Sequence, residues 1–168
     1  MKKYSIFCLV VMSIFSCSSA KNETKNTLII NETINLWHTA ASKANFDEYF
    51  NLMTKKSVFV GTDATENWQI DAFKAFSKPY FDKGKAWSFK PLKRSIYFSE
   101  NQKTAWFDEL LDTQMKICRG SGVLIKENGK WKIAHYVLSM TIPNEKTNEV
   151  VKIKDQIETN EINLLKTK

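Results

Sequence analysis

The chain has 168 residues, the size of a single domain that buries its own core, and nothing in it suggests a second domain. Apolar residues at 43% and aromatic residues at 12% are globular values, and five Trp with eleven Phe point to a wall of rings. The formal charge is +7; without Lys2 and Lys3, which belong to an export signal, 23 basic residues face 18 acids, a net of +5.

The first twenty residues differ from the rest. Lys2-Lys3 is a short basic start, Ile6 to Phe15 is apolar, and Ser16-Cys17-Ser18-Ser19-Ala20 is small. This pattern is a secretory signal, too short to be a membrane span. Ile14-Phe15-Ser16-Cys17 resembles a bacterial lipobox, with Phe15 bulkier than the usual residue. The resemblance implies a signal peptide over 1–16, cleavage before Cys17 and lipidation of its thiol; cleavage after Ala20 is the alternative. Either way the chain is exported, and on the first reading it is a membrane-anchored lipoprotein facing the periplasm or cell exterior. Cys8 leaves with the signal, so Cys118 stands alone and no disulfide framework exists. Cys118 reads as a small core hydrophobe.

Residues 17–27 are polar and charged towards their end and suit a tether. The domain then spans 28–143. From Leu28 to Ala44, Ile30, Ile34, Trp37 and Ala41 recur at helical spacing, with His38 bordering the same face. A short helix over Phe46 to Met53 takes Asp47 as its cap, and Ser57 to Val60 is a strand. The polar loop Gly61 to Trp68 places Asp63, Glu66 and Trp68 directly after that strand, where sites are often lined. A third helix runs from Asp71 to Lys83, with Phe73, Phe76 and Tyr80 inward, a kink at Pro79 and Gly84 closing its end. Trp87 to Phe98 is a strand region interrupted by Pro91. Lysines interleaved with rings between Lys74 and Lys103 imitate a nucleic-acid surface, but in an exported chain they read as a solvated basic face, one that can rest on anionic lipid; no nucleic-acid partner is expected.

Thr104 to Met140 holds three strand-like runs, Thr104 to Asp112, Lys116 to Ile125 and Trp131 to Leu138, forming an antiparallel meander. Asn128-Gly129 supplies a tight turn with two possible registers. A three-residue loop is favoured because it sets Val123 and Ile125 beside Trp131 and Ile133 and gathers Lys126, Lys130 and Lys132 on the other face. The buried face then continues to Ser121, Arg119 and His135, with Asp108 or Glu109 supplied by the first run. Residues 144–168 form a tail in which Val150, Val151, Ile153 and Ile157 suggest a helix packing on the sheet, with a frayed end.

Trp37-His38, Asn45-Phe46-Asp47, Val58 to Asp63, Trp106 to Glu109, Gly120 to Leu124 and Trp131 to His135, in this order of helices and strands, resemble the SnoaL-like branch of the nuclear-transport-factor-two-like, or ketosteroid-isomerase-like, superfamily. The resemblance covers about Leu28 to Ile142. It implies an α+β fold, a curved antiparallel sheet wrapped as a cone around N-terminal helices with an internal pocket, and a tendency to homodimerise. Superfamily members include isomerases, cyclases and dehydratases as well as binding and assembly domains, so the resemblance leaves activity open.

Asp108 is the first candidate for a pocket carboxylate with raised pKa acting as general base; its structural role is a salt bridge to Arg119. Strand alternation puts Asp108 and Glu109 on opposite faces, so only one can pair with Arg119. His135 and His38 form a candidate proton-transfer or ligand-binding pair, though two histidines without close spacing are a poor metal signal, and no metal or cofactor is expected. Asp63 and Glu66 either complete a ligand site at the mouth or cap a local turn. Trp68, Trp87 and Trp106 either stack on a flat ligand or pack in the core, and Arg119 either receives an anionic ligand group or pairs with an acid. The expectation is a membrane-tethered domain binding a small, partly apolar molecule. Acid–base catalysis and protein assembly are the alternatives.

Overall fold

A computed structural model describes residues 3–167, with side chains from Glu23 onward. The lipidation at Cys17 concerns a side chain outside the described residues. Among those described, no helix is long and apolar enough to cross a membrane.

The first helix, α1 (Lys3–Ser42), runs through the expected tether: residues 21–27 are helical, and Asn26 is buried. Polar composition suggested a tether there, but Asn26 bonds Gln102 and Trp131 and so belongs to the domain. Ile30, Ile34, Trp37 and Ala41 are buried on one stripe of the helix, as their spacing requires. The short α2 (Phe46–Asn51) is capped by Asn45, whose side chain accepts from the Glu48 amide at 3.2 Å, rather than by Asp47. Strand β1 (Met53–Val60) is followed by β2 (Asn67–Gln69), a three-residue strand inside the loop, and by α3 (Ile70–Asp82). Phe73 faces inward on α3, but Phe76 and Tyr80 are exposed; Phe81, eight residues after Phe73, takes the second inward place.

Strands β3 (Lys90–Phe98), β4 (Thr104–Thr113), β5 (Lys116–Glu127) and β6 (Lys130–Met140) complete a six-stranded sheet ordered β2-β1-β6-β5-β4-β3. All pairs are antiparallel except β1 with β6. The result is an α+β fold with a curved, unclosed sheet around the helices. A cluster of rings fills its interior: Trp37 stacks on Tyr49 at 4.9 Å, Phe59 on Phe73 at 4.2 Å, and Tyr136 stands edge-on to Trp37 at 4.8 Å.

The register of the last hairpin differs from the expected one. Glu127 pairs with Lys130 across a two-residue turn, and both Asn128 (φ 50) and Gly129 (φ 79) have positive φ, the geometry that matches strand twist. Leu124, not Val123 or Ile125, therefore lies opposite Ile133 on the buried face. Further along, the register shifts between Val123 and Leu124, whose partners are His135 and Ile133. The extra residue, Ala134, is a bulge that reverses the alternation of β6. Trp131 and Ile133 point inward before it, Tyr136 and Leu138 after it.

After a 3-10 turn (Asn144–Lys146), α4 (Thr147–Lys166) has no buried residue, with Ile153 79% and Ile157 74% exposed. The expectation that this segment packs on the sheet is corrected: its substantial contacts are with the turn that leads into it, and it is helical to Lys166 rather than frayed.

Candidate functional site

The alternation of β4 decides which acid enters the cone. Ala105, Phe107, Glu109, Leu111 and Thr113 face the interior, whereas Trp106 and Asp108 face outward. Asp108 is thus removed from the pocket; its carboxylate accepts from the exposed Tyr97 hydroxyl at 3.2 Å. Glu109 is 1% exposed, and among the described residues it is the only buried acid.

Four donors meet its two oxygens. Arg94 on β3 donates from Nε at 2.9 Å and Nη2 at 2.7 Å to Oε2. The Tyr136 hydroxyl donates to Oε1 at 3.0 Å, and His38 Nε2 lies 2.8 Å from the same oxygen. Because an ionised carboxylate only accepts, Nε2 carries the proton. Arg94 Nη1 also donates to the Asn31 carbonyl and to the side-chain oxygens of Asn31 and Asn35, tying α1 to the sheet. A carboxylate has about four acceptor positions, and all are used.

Burial alone pushes the Glu109 carboxyl up. The hydrogen bond from His38, its charge when protonated, and the adjacent Arg94 guanidinium together outweigh burial and hold the group below the usual glutamate value. Tyr136 moves the opposite way: burial, and then the negative charge of Glu109, push its hydroxyl well above its usual range. Glu109 is therefore an anion held between the Arg94 guanidinium and the His38 and Tyr136 donors. Gly120 lies directly across from it in the β4–β5 ladder, and a Cβ there would stand 2.2 Å from the Tyr136 hydroxyl oxygen. The glycine leaves the space in which the tyrosine reaches the acid.

His38 is 3% exposed, and its second nitrogen, Nδ1, is buried without a hydrogen-bond partner. Its ring borders a 300 Å³ groove lined also by Asn35, Thr39, Ser88 and Lys90. A separate 190 Å³ cavity opens at the mouth of the cone, walled by Phe59, Phe73, Phe76, Trp87, Phe89, Met115 and Leu138, with Thr62, Glu66 and Gln114 supplying polar edges. The Trp87 indole N–H is buried without a partner meeting hydrogen-bond geometry.

Of the expected site residues, His38, Glu66 and Trp87 line these spaces. The others do not. Arg119 is exposed, since the buried face of β5 is Cys118, Gly120, Gly122 and Leu124. The expected Asp108–Arg119 pair is replaced by Glu109–Arg94. His135 lies on the outer side of β6 because the bulge hands the inward place to Tyr136, so it cannot act with His38 inside the cone. Asp63 is exposed and caps a turn, accepting from the Thr65 amide at 2.9 Å and hydroxyl at 2.6 Å; those bonds hold its carboxyl below the usual range. Trp68 stacks on Phe76 at 4.7 Å behind the cavity wall. Among the described residues no group of three or more His, Cys, Asp or Glu is arranged to hold a metal.

The profile of the SnoaL-like domain matches residues 30–143, which include the whole Glu109 network. The chain belongs to the SnoaL-like family. Solved structures agree on the fold. An NTF2-like protein of unknown function from Pseudomonas putida KT2440 superposes with a TM-score of 0.58 at 14% identity, covering 77% of this chain and 92% of that one. A protein named as a candidate dehydratase of the NTF2-like family from Streptomyces avermitilis gives 0.62 at 9% identity, covering 72% and 99%. A candidate scytalone dehydratase from Novosphingobium aromaticivorans gives 0.62 at 12% identity, covering 73% and 89%. A search of curated proteins gives no match. At these identities the SnoaL-like likeness carries the fold alone, and a role for this member rests on its own side chains.

Proposed function

We propose that this SnoaL-like domain binds a small, flat, largely apolar molecule at the mouth of its cone, held at the membrane by lipid on Cys17. The observation that carries the binding reading is the saturation of Glu109: the only buried acid among the described residues has no free acceptor position, and its charge is balanced by Arg94. A general base needs a lone pair turned towards substrate. What stays open is the aromatic cavity, whose rings offer stacking surface while Glu66, Thr62 and Gln114 orient a polar edge.

The test is a thermal-shift screen of small aromatic compounds against wild type and Met115→Trp. Met115 is half-buried in the wall, so the larger ring fills the cavity without entering the Glu109 network. Wild type should be stabilised by a subset of compounds and the variant by none, with apo melting unchanged. Equal stabilisation of both proteins refutes the site. For the anchor, Cys17→Ala should release the protein from membranes or block processing; a soluble wild type beginning at Lys21 refutes it.

A second reading, acid–base catalysis, is favoured by one observation. His38 is oriented by Glu109 through Nε2 while Nδ1 remains unpartnered beside a groove, the arrangement of a base held by an acid. Exchange of the α-protons of cyclic ketones in heavy water, lost in His38→Gln, is the result this reading requires.

A further inference from the structure

The place where α1 enters the domain is fixed by Asn26. Its Nδ2 donates to Gln102 Oε1 at 3.1 Å, and its Oδ1 accepts from Trp131 Nε1 at 3.4 Å. Gln102 lies in the β3–β4 turn and Trp131 next to the start of β6, so the helix enters at the hairpin end of the sheet.

That end is rich in lysine. Lys130 and Lys132 from β6 and Lys55 and Lys56 from β1 line a 580 Å³ groove together with Glu127. Lys126, whose ammonium lies 5.5 Å from the Trp131 ring, and Lys103, whose carbonyl accepts from the Lys126 amide at 3.0 Å, extend the cluster to the β3–β4 turn. Lys25 adds a charge on α1 beside Asn26. All are exposed except the half-buried Lys132. The acids nearby in the chain are Glu23, Glu100 and Glu127, and among the described residues none of the seven lysines is in an ion pair. Seven lysines against three acids leave an excess of positive charge on this end, which favours an anionic surface.

We propose that this lysine-rich end lies on the anionic headgroups of the membrane that holds the N-terminal anchor; the proposal rests on the lipid-anchor reading above. Asn26 is nine positions after Cys17, and at about 1.5 Å per helical step the two are about 14 Å apart along the helix. Attraction between lysines and a charged surface decays over a Debye length of about 8 Å at physiological salt, so a basic patch acts only where something holds it close. The anchor keeps the patch within about two Debye lengths of the bilayer, and nearer where the helix lies along the surface, with the same end of the sheet facing the bilayer. The cone mouth is lined from the β1–β2 loop, α3 and the β4–β5 turn, away from that hairpin end.

The full chain carrying Cys17→Ala is sedimented with vesicles of phosphatidylcholine alone or with about 30% phosphatidylglycerol. The leader, with Lys2 and Lys3, contributes the same in wild type and in a variant of the patch, so the readout is the change in the ratio of the two partition constants between them. A surface lysine contributes about fivefold. The wild-type ratio should exceed that of Lys55→Gln/Lys56→Gln/Lys130→Gln/Lys132→Gln by on the order of several hundredfold at low salt, with the excess collapsing as salt rises and melting unchanged. A ratio near unity for wild type, or a variant that keeps the wild-type ratio, overturns the proposal, as does tighter retention by heparin than by anionic vesicles at equal salt. If instead the cellular protein is soluble from Lys21 while the vesicle ratio and its loss in the variant persist, the anchor reading fails and the anionic-lipid surface stands.

Discussion

Replacing Arg94 by Met is the sharpest probe of the interior. The guanidinium gives two hydrogen bonds to Glu109 Oε2 and three contacts to Asn31 and Asn35, and the Glu109 side chain is fully excluded from water. After the substitution Oε2 has no donor, and the charge is opposed only by His38 and Tyr136. Breaking a buried pair from one side costs about 3–5 kcal/mol. For a domain of this length that is a fall in melting temperature of about 6–20 °C. The double substitution Arg94→Met/Glu109→Gln removes the stranded charge and should recover most of the loss, giving a coupling energy well above about 1 kcal/mol in a double-mutant cycle followed by urea denaturation. The pH dependence gives an independent check. Arg94 is among the groups that hold the Glu109 pKa below 4.5, so its removal raises that pKa and makes the carboxyl easier to protonate. The difference between wild type and Arg94→Met should therefore narrow as pH falls from 7 towards 4. A loss under about 1 kcal/mol at pH 7, with no recovery in the double variant, would refute the claim that this network holds the cone together.

In wild type the sign is fixed by the lowered carboxyl: Glu109 contributes stability that is complete above its unfolded value of 4.5 and is lost as pH falls through its lower folded value, so acid denaturation followed by circular dichroism should begin below that point. Gly120→Ala places a methyl against the Tyr136 hydroxyl and should destabilise by about 1–3 kcal/mol, with Tyr136→Phe in the same background recovering part of it. Arg119→Met, by contrast, alters an exposed side chain and should change stability by less than about 0.5 kcal/mol in urea titration. Ending the chain at Lys146 removes a helix with no buried residue and should leave the melting temperature of the domain where it was.

Elements were legible wherever periodicity was strong. The stripe Ile30, Ile34, Trp37, Ala41 fell where its spacing put it, because one face of the helix has to be apolar, and the three runs of the meander fell where strand-forming residues are dense between turn residues. Two elements escaped for physical reasons. Strand β2 is three residues long and gains its pairing only from β1, so it has no pattern of its own to detect. The outward lie of α4 was hidden because an amphipathic repeat shows that a helix has an apolar side without showing what covers it.

The candidate site was legible in kind but misread in detail, and each error traces to a parity decision. On β4 both faces carry large apolar groups, Trp106 and Leu110 on one and Phe107 and Leu111 on the other, so alternation could not choose between Asp108 and Glu109. The buried arginine is not on β5 but on β3, where the alternation Arg94, Ile96, Phe98 sets a guanidinium in line with two apolar side chains. His135 was carried inward from Trp131 and Ile133 by an alternation that the bulge at Ala134 breaks, and no residue there announces a bulge. The two-residue turn that fixes the hairpin was written in Asn128-Gly129, but the segregation of lysines outweighed it. Those lysines need no common face of the sheet, because at the end of a hairpin, strand by strand, both faces open to the same solvent.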